Sequence, residues 1–182
     1  MKRVAVLVGS LRKNSLNLRF AKAVCALAPG FQSDFVPLAD LPLYNDDLWI
    51  DRPQAVVDFK ERIRSADAVL FVTPEYNRSI PPVIKNAIDW GSRPKDDSVW
   101  AGKPGAVIGA SPGVIGAAVA QSHLRYVTGV VGIATLPQPE IYFSFKQDNI
   151  DESSQFQKQE TVDFMLGFIK SFERWIELIS HQ

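Results

Sequence analysis

Short runs of consecutive apolar residues alternate along this chain with longer stretches in which apolar residues recur every three or four positions. Continuous runs rich in branched side chains are typical of parallel strands buried on both faces, and the wider spacing is typical of helices with one buried face. The predicted strands span residues 4–8, 31–38, 68–73, 104–110 and 131–136. The predicted helices span residues 16–28, 54–65, 83–90, 114–127 and 153–180.

The alternation of strands and helices predicts an α/β fold, with helices on both faces of a doubly wound parallel sheet. Five strands with a polar loop after the first favour the flavodoxin-like strand order 2-1-3-4-5 in a three-layer sandwich. The length of 182 residues predicts one domain over residues 1–182. Residues 137–149 are expected to be irregular, with 141–143 as a candidate short strand. Ligands of such folds bind beyond the carboxyl ends of the strands, near the point where the strand order reverses.

The loop after the first strand begins at Gly9 and is rich in hydroxyl, amide and basic side chains. Either Asn14 or Ser15 is expected to cap the next helix, whose free N–H groups and positive dipole end suit a phosphate. The neutral donors in this loop are Ser10, Ser15 and Asn17. Arg12 adds a fixed charge that can pair with phosphate oxygens. The loop lacks both the dinucleotide and the Walker glycine patterns, so it predicts a site for one terminal phosphate. The alternative is that Arg12 and Lys13 are only solvated loop charges.

Two further loops carry unusual polar and glycine content after predicted strands. Residues 74–82 place Pro74 and Tyr76 directly behind a buried strand, where main-chain groups can address the edge of a flat heterocycle. The alternative is a rigid turn in which Tyr76 fills the core. The third loop contains Gly113 and Gly116, which allow close approach of a ring or a second substrate. The alternative there is a simple turn between strand and helix.

Composition and charge narrow the function classes. The formal net charge is zero, which predicts neither a nucleic-acid surface nor an anionic-membrane surface. The only cysteine is Cys25, so an internal disulfide is impossible and a reducing compartment fits. The sequence shows neither the charged and apolar pattern of a secretory signal peptide nor an apolar stretch long enough to span a membrane. The sequence therefore predicts a cytoplasmic protein without a membrane partner.

Few side chains qualify as catalysts or metal ligands. Cys25 falls on a predicted helix and is interpreted as a small buried hydrophobe. Histidine is nearly absent, and neither His123 nor His181 has the partners of a hydrolytic triad or a metal site. The acidic residues 46, 47 and 51 lack the spacing of a calcium loop and are interpreted as solvated. Nearby, Tyr44 and Trp49 either pack against the core or cover a planar ligand. Redox chemistry, if present, must then come from a cofactor.

Two motifs resemble one known family. GSLRKNSLN (residues 9–17) and TPEYNRSIPPVIKNAIDW (residues 73–90) are similar to the NADPH-dependent FMN reductase family, and within it to the bacterial chromate and quinone reductases. The resemblance covers nearly the whole chain and thins after about residue 139. It implies FMN as cofactor, NADPH or NADH as co-substrate, and a homodimer or homotetramer whose partner helps to wall the flavin pocket. The residues that it implies for cofactor binding are Ser10, Arg12, Asn14, Ser15, Leu16, Asn17, Pro74, Glu75, Tyr76, Asn77 and Ser111.

By the same resemblance, residues 10–17 would hold the FMN phosphate, residues 74–77 would line the isoalloxazine, and Ser111 would close the other side of the ring. The chain departs from the family pattern at Pro82, where glycine is usual, and at Arg78. Arg78 could attract an anionic substrate or the NADPH phosphate, or it could be an idle rim charge. Residues 141–151 are also unusual for the family.

The predicted function is therefore an FMN-dependent NAD(P)H oxidoreductase that passes hydride through flavin N5 in a ping-pong sequence. Its predicted acceptors are small molecules: quinones, azo compounds, flavins or chromate. No side chain is assigned as an obligatory acid or base, and no metal is expected. The alternatives are a flavodoxin-like electron carrier without NAD(P)H oxidation, which the neutral charge disfavours, and a cofactor-free binding module.

Overall fold

A computed structural model of the chain describes residues 1–146 and 148–180. Within these residues, six strands form one sheet. They are β1 (Lys2–Val8), β2 (Phe31–Phe35), β3 (Ala68–Thr73), β4 (Pro104–Ser111), β5 (Ala134–Thr135) and β6 (Ile141–Ser144). Every pairing is parallel, and the order is β2-β1-β3-β4-β5, with β6 paired to β4 as well. The predicted parallel sheet and its strand order are confirmed.

Helices cover both faces of this sheet. They are α1 (Leu16–Ala26), α2 (Gln54–Arg64), α3 (Pro82–Gly91), α4 (Ala118–Val130) and α5 (Gln159–Ser180). The side chains of β1 alternate between the two faces, as period-2 geometry requires. Val4 and Val6 enter a core shared with α1 and α5, whereas Ala5 and Leu7 enter a core shared with α2, α3 and α4. The predicted three-layer sandwich is therefore confirmed.

The predicted fifth strand, 131–136, is wrong in its bounds: β5 is only Ala134–Thr135, because α4 continues to Val130 and the chain turns at Gly132, whose φ is +81°. The same border of the sheet is interrupted before β6. Thr135 pairs with Gly105 and Ile141 pairs with Ile108, so two residues of β4 face a five-residue segment, 136–140. Arg125 of α4 fills the break: its guanidinium donates to the carbonyl of Leu136 at 2.6 Å and to that of Val107 at 3.3 Å. These bonds satisfy carbonyls that a continuous strand would have paired. The candidate short strand at 141–143 is real and forms β6.

Two predicted helices begin too early. Helix α4 starts at Ala118 rather than at 114, because Gly116 and Ala117 have φ values of +54° and +64°, outside the right-handed helical region. Helix α5 starts at Gln159 rather than at 153, because an antiparallel bridge between Ile150 and Phe156 closes that segment into a loop. Neither constraint is visible in the apolar spacing.

The long loop before α2 packs against the core. The rings of Tyr44 and Trp49 lie edge-on to Trp90, with centroids 4.9 and 5.1 Å apart. Trp90 is fully buried, and its indole N–H donates to the Pro42 carbonyl at 2.7 Å. Of the two interpretations of Tyr44 and Trp49, the structure supports packing.

Candidate functional site

Three loops meet at the carboxyl edge of the sheet, because β1, β3 and β4 are parallel neighbours that end at Val8, Thr73 and Ser111. Gly9 begins the first loop, and its N–H donates to the Val72 carbonyl at 2.9 Å. A Cβ at Gly9 would lie 2.7 Å from side-chain atoms of both Pro81 and Ile84. The first loop is therefore packed directly against the start of α3, and glycine is required there for steric reasons.

The first loop presents a set of backbone donors. Ser15 caps α1, with its hydroxyl accepting from the Leu18 N–H at 3.1 Å, so the structure selects Ser15 over Asn14 as the cap. The N–H groups of Leu16 and Asn17 find no acceptor among the described residues. Arg12 and Asn14, which precede these residues in the chain, are exposed. A helix N-terminus with free N–H groups and an adjacent guanidinium favours an anion.

Asn17 has a role that the sequence did not indicate. Its side chain is buried, and its amide pairs with the backbone of Ala110, donating to the carbonyl at 2.8 Å and accepting from the N–H at 3.0 Å. Ala110 is the penultimate residue of β4. The side chain of Asn17 thus ties the first loop to the end of β4.

The second loop is a tight hairpin. Tyr76 and Ser79 exchange two backbone hydrogen bonds, each 3.0 Å long, and the intervening Asn77 and Arg78 have φ values of +50° and +62°. Two consecutive residues with positive φ define a type I′ turn, in which glycine is favoured. Arg78 therefore holds a conformation that costs a non-glycine residue free energy. Its guanidinium pairs with Glu75 at 3.1 Å.

The third loop closes on the sheet edge. The Ser111 hydroxyl donates to the Gly113 carbonyl at 3.2 Å. A Cβ at Gly116 would lie 2.3 Å from the carbonyl carbon of Tyr142, so this glycine is required by the backbone of β6. At Gly113 the nearest atom to such a Cβ would be 3.6 Å away. The close approach predicted at Gly116 is therefore made within the protein itself.

The residues predicted for cofactor binding lie on the first two loops, in the first turn of α1 (Leu16 and Asn17) and at the end of β4 (Ser111). Contacts to β4 and α4 join these segments. Asn17 links the first loop to Ala110, and Glu75 links the second loop to the start of α4. The backbone of Ala110 and the first turn of α4 are partners that the sequence alone did not indicate. The sequence does carry one signal for the α4 contact. No Ser, Thr, Asp or Asn stands immediately before α4, so its first N–H groups need an acceptor from elsewhere in the chain.

Comparisons with known proteins agree with this fold and show the family. Residues 2–148 match the family described as NADPH-dependent FMN reductase. The chain belongs to this family. It is 46% identical over 175 residues to the 2-hydroxy-1,4-benzoquinone reductase of a Burkholderia species, covering 96% of each chain. It is 44% identical to a quinone reductase of Pseudomonas putida, covering 96% of this chain and 95% of that protein. The solved structure of FerB, a flavoenzyme NAD(P)H:(acceptor) oxidoreductase from Paracoccus denitrificans, matches with 48% identity and a TM-score of 0.95, covering 97% of this chain and 98% of that one.

Membership of the NADPH-dependent FMN reductase family confirms the predicted enzyme class, an NAD(P)H-dependent oxidoreductase, and the predicted cofactors, FMN with NADPH or NADH. The residues present fit the phosphate end of FMN. The free N–H groups of Leu16 and Asn17 supply neutral donors, and Arg12 is close in the chain to supply charge. A phosphate needs several donors and a compensating charge, and this loop offers both.

The remaining candidate side chains are Cys25 and the two histidines. Burial raises the pKa of the Cys25 thiol, which keeps it protonated and unreactive. His123 Nδ1 lies 3.2 Å from the Ser79 hydroxyl. His181 lies outside the described residues. Within residues 1–146 and 148–180, no cluster of three His, Cys, Asp or Glu side chains is arranged for a metal ion, and no helix is long and apolar enough to cross a bilayer.

Proposed function

We propose that this protein, as one domain spanning residues 1–182, binds FMN at the three-loop edge and reduces quinones with electrons from NAD(P)H. The observation that carries the proposal is the donor set at the start of α1, where the N–H groups of Leu16 and Asn17 are free among the described residues, at the same edge of the sheet as the Tyr76–Ser79 hairpin. The names of its relatives support the substrate class. The 46% identical relative is named a 2-hydroxy-1,4-benzoquinone reductase, and the 44% identical one a quinone reductase.

In this proposal the chain binds and orients, and FMN supplies the redox chemistry through its hydride-accepting N5. The donors of residues 10–17 (Ser10, Asn14, Ser15, Leu16 and Asn17) hold the phosphate, and Arg12 pairs with its oxygens. Pro74, Tyr76 and Asn77 address the ring from one side, and Ser111 from the other. The nicotinamide and the acceptor use one shared pocket in turn, which makes the kinetics ping-pong. Free flavins, azo compounds and chromate are proposed as further acceptors.

The decisive experiment is a titration of the purified chain with FMN, followed by steady-state oxidation of NADPH and of NADH with 1,4-benzoquinone. We expect quenching of flavin fluorescence with one FMN per chain, and quinone-dependent NAD(P)H oxidation with parallel double-reciprocal plots. FMN binding without NAD(P)H oxidation would favour the flavodoxin-like electron carrier instead. Absence of both FMN binding and NAD(P)H oxidation would favour the cofactor-free binding module.

Arg12→Ala is expected to weaken FMN binding about tenfold, because a charge-assisted hydrogen bond to phosphate is lost. Lys22→Ala is the matched control, since it removes a cation from the exposed side of α1 beyond the phosphate loop. The dissociation constant of FMN, measured by fluorescence quenching, distinguishes the two variants. Equal affinity of Arg12→Ala and the wild type would remove Arg12 from the phosphate site.

The predicted homodimer or homotetramer is also proposed, with α3 and α4 as the contacting face. Tyr126 and Val130 of α4 are 75% and 71% exposed. A mainly apolar cavity of about 490 Å³ lies beside Tyr126, lined in part by Ile80 and Pro82. Large exposed apolar groups on one face are typical of interaction sites. Sedimentation equilibrium tests this assembly. A cytoplasmic location is proposed from the single cysteine.

A further inference from the structure

The carboxylate of Glu75 lies between the second and third loops and is almost completely paired. One oxygen, Oε2, accepts from the backbone N–H of Val119 at 3.0 Å and from that of Ala120 at 3.2 Å. The other oxygen, Oε1, accepts from Arg78 at 3.1 Å. The side chain of Glu75 is only 10% exposed, whereas that of Arg78 is 69% exposed. The contact to α4 is therefore the sheltered one.

Helix α4 depends on this distant carboxylate at its start. The first four N–H groups of a helix have no partner within it, and a local Ser, Thr, Asp or Asn usually supplies one. The residue before α4 is Ala117, whose methyl group cannot accept a hydrogen bond. The Ala118 N–H bonds to the Ile115 carbonyl and the Gln121 N–H to the Ala117 carbonyl, both at 3.0 Å. The second and third N–H groups are satisfied by Glu75, which is 44 residues from Val119 in the sequence.

The same contact sets the position of the hairpin. Glu75 immediately precedes Tyr76, whose N–H and carbonyl close the type I′ turn with Ser79. A carboxylate that bonds to a helix N-terminus is held both by two N–H donors and by the helix dipole. Because a hairpin this tight moves as one unit, fixing Glu75 on α4 fixes Tyr76 and Asn77 relative to the third loop.

We propose that Glu75 is a positioning residue that caps α4 and thereby sets the distance between the Tyr76–Asn77 hairpin and Ser111. This rests on the proposed function, in which those residues address the two sides of the flavin ring. Glu75 then affects turnover indirectly, because its hydrogen bonds to α4 hold the hairpin in place beside the flavin ring. The reductase needs an acceptor oxygen at this position, and the pairing with Arg78 is dispensable for the cap.

The test compares Glu75→Ala, Glu75→Gln and Arg78→Gly. Glutamine keeps an oxygen that can accept from Val119 and Ala120, and alanine removes it. Arg78→Gly removes the exposed partner and relieves the positive φ at residue 78, and it leaves the contacts of Glu75 to α4 in place. In the protein without FMN, hydrogen exchange of the Val119 and Ala120 amides should accelerate about tenfold in Glu75→Ala, because each amide loses its one hydrogen bond. The exchange rates of both amides should stay near wild type in Glu75→Gln and Arg78→Gly.

In the protein saturated with FMN, Glu75→Ala should lower kcat for NAD(P)H oxidation about tenfold while changing the NAD(P)H KM by less than about twofold, since a misplaced ring slows transfer more than binding. Its flavin absorption band should also shift, and Glu75→Gln should restore both kcat and spectrum. Unchanged exchange at Val119 and Ala120 in Glu75→Ala would overturn the proposal. So would wild-type kcat and spectrum despite faster exchange, or a Glu75→Gln variant as impaired as Glu75→Ala.

Failure of the proposed function is seen separately. It would appear in the wild type as absence of FMN binding or of NAD(P)H oxidation. The exchange measurement does not depend on FMN, so it still decides whether Glu75 caps α4.

Discussion

Gly116→Ala is expected to lower the free energy of unfolding by about 2–4 kcal/mol. The new Cβ would lie 2.3 Å from the Tyr142 carbonyl carbon and 2.6 Å from its oxygen, and both are backbone atoms of β6 that cannot rotate away. Alanine must in addition adopt a φ of +54°, which glycine adopts without cost. Overpacking and backbone strain therefore add, and the midpoint of urea unfolding should fall.

Gly113→Ala is the matched control three residues earlier. Its Cβ would have only the Ser111 hydroxyl nearby, at 3.6 Å, so we expect a change within about 0.5 kcal/mol. If Gly116→Ala were as stable as Gly113→Ala, the close contact between the third loop and β6 would be wrong.

Asn17→Ala is expected to lower the free energy of unfolding by about 2–4 kcal/mol and to weaken FMN binding about tenfold. The substitution leaves the N–H and the carbonyl of Ala110 without partners, and Ala110 is buried. It also releases the first loop from β4, so the N–H groups of Leu16 and Asn17 lose their fixed orientation. Urea unfolding without FMN and an FMN titration measure the two effects separately.

Asn14→Ala provides the comparison for stability, because Asn14 is exposed and Ser15 is the helix cap. Its unfolding free energy should stay within about 0.5 kcal/mol of the wild type. An Asn17→Ala variant that unfolds at the wild-type urea concentration would show that the amide pairing with Ala110 contributes little.

The sheet could be predicted from the sequence because its central strands are buried on both faces. Residues 68–72 form an uninterrupted apolar run, and all six residues of β3, 68–73, are buried. The loops after such runs are then placed by topology alone, since parallel strands end at one edge. For the same reason the predicted site residues, which the family resemblance implied from separate segments of the sequence, fall near the ends of three adjacent strands.

The parts that could not be predicted depend on contacts between residues distant in the sequence. The Asn17 side chain has a polar amide that could bind a ligand. Only the fold shows that this amide pairs with Ala110, 93 residues away. Glu75 was expected at the ring, and only the placement of α4 shows that its carboxylate faces a helix start. The break between β5 and β6 has a similar origin. Arg125 lies on a helix whose spacing looks regular, and nothing local indicates that its guanidinium enters the sheet.

That break has a consequence for behaviour in concentrated solution. A long, flat edge strand offers a row of unpaired N–H and carbonyl groups on which a strand from another molecule can add, the first step of aggregation. On this border, β5 contributes two residues and β6 four, with the segment 136–140 looped out between them. Two such short strands, separated by an unpaired segment, make a poor template. The break between β5 and β6 thus protects this border of the sheet against the addition of a strand from another molecule.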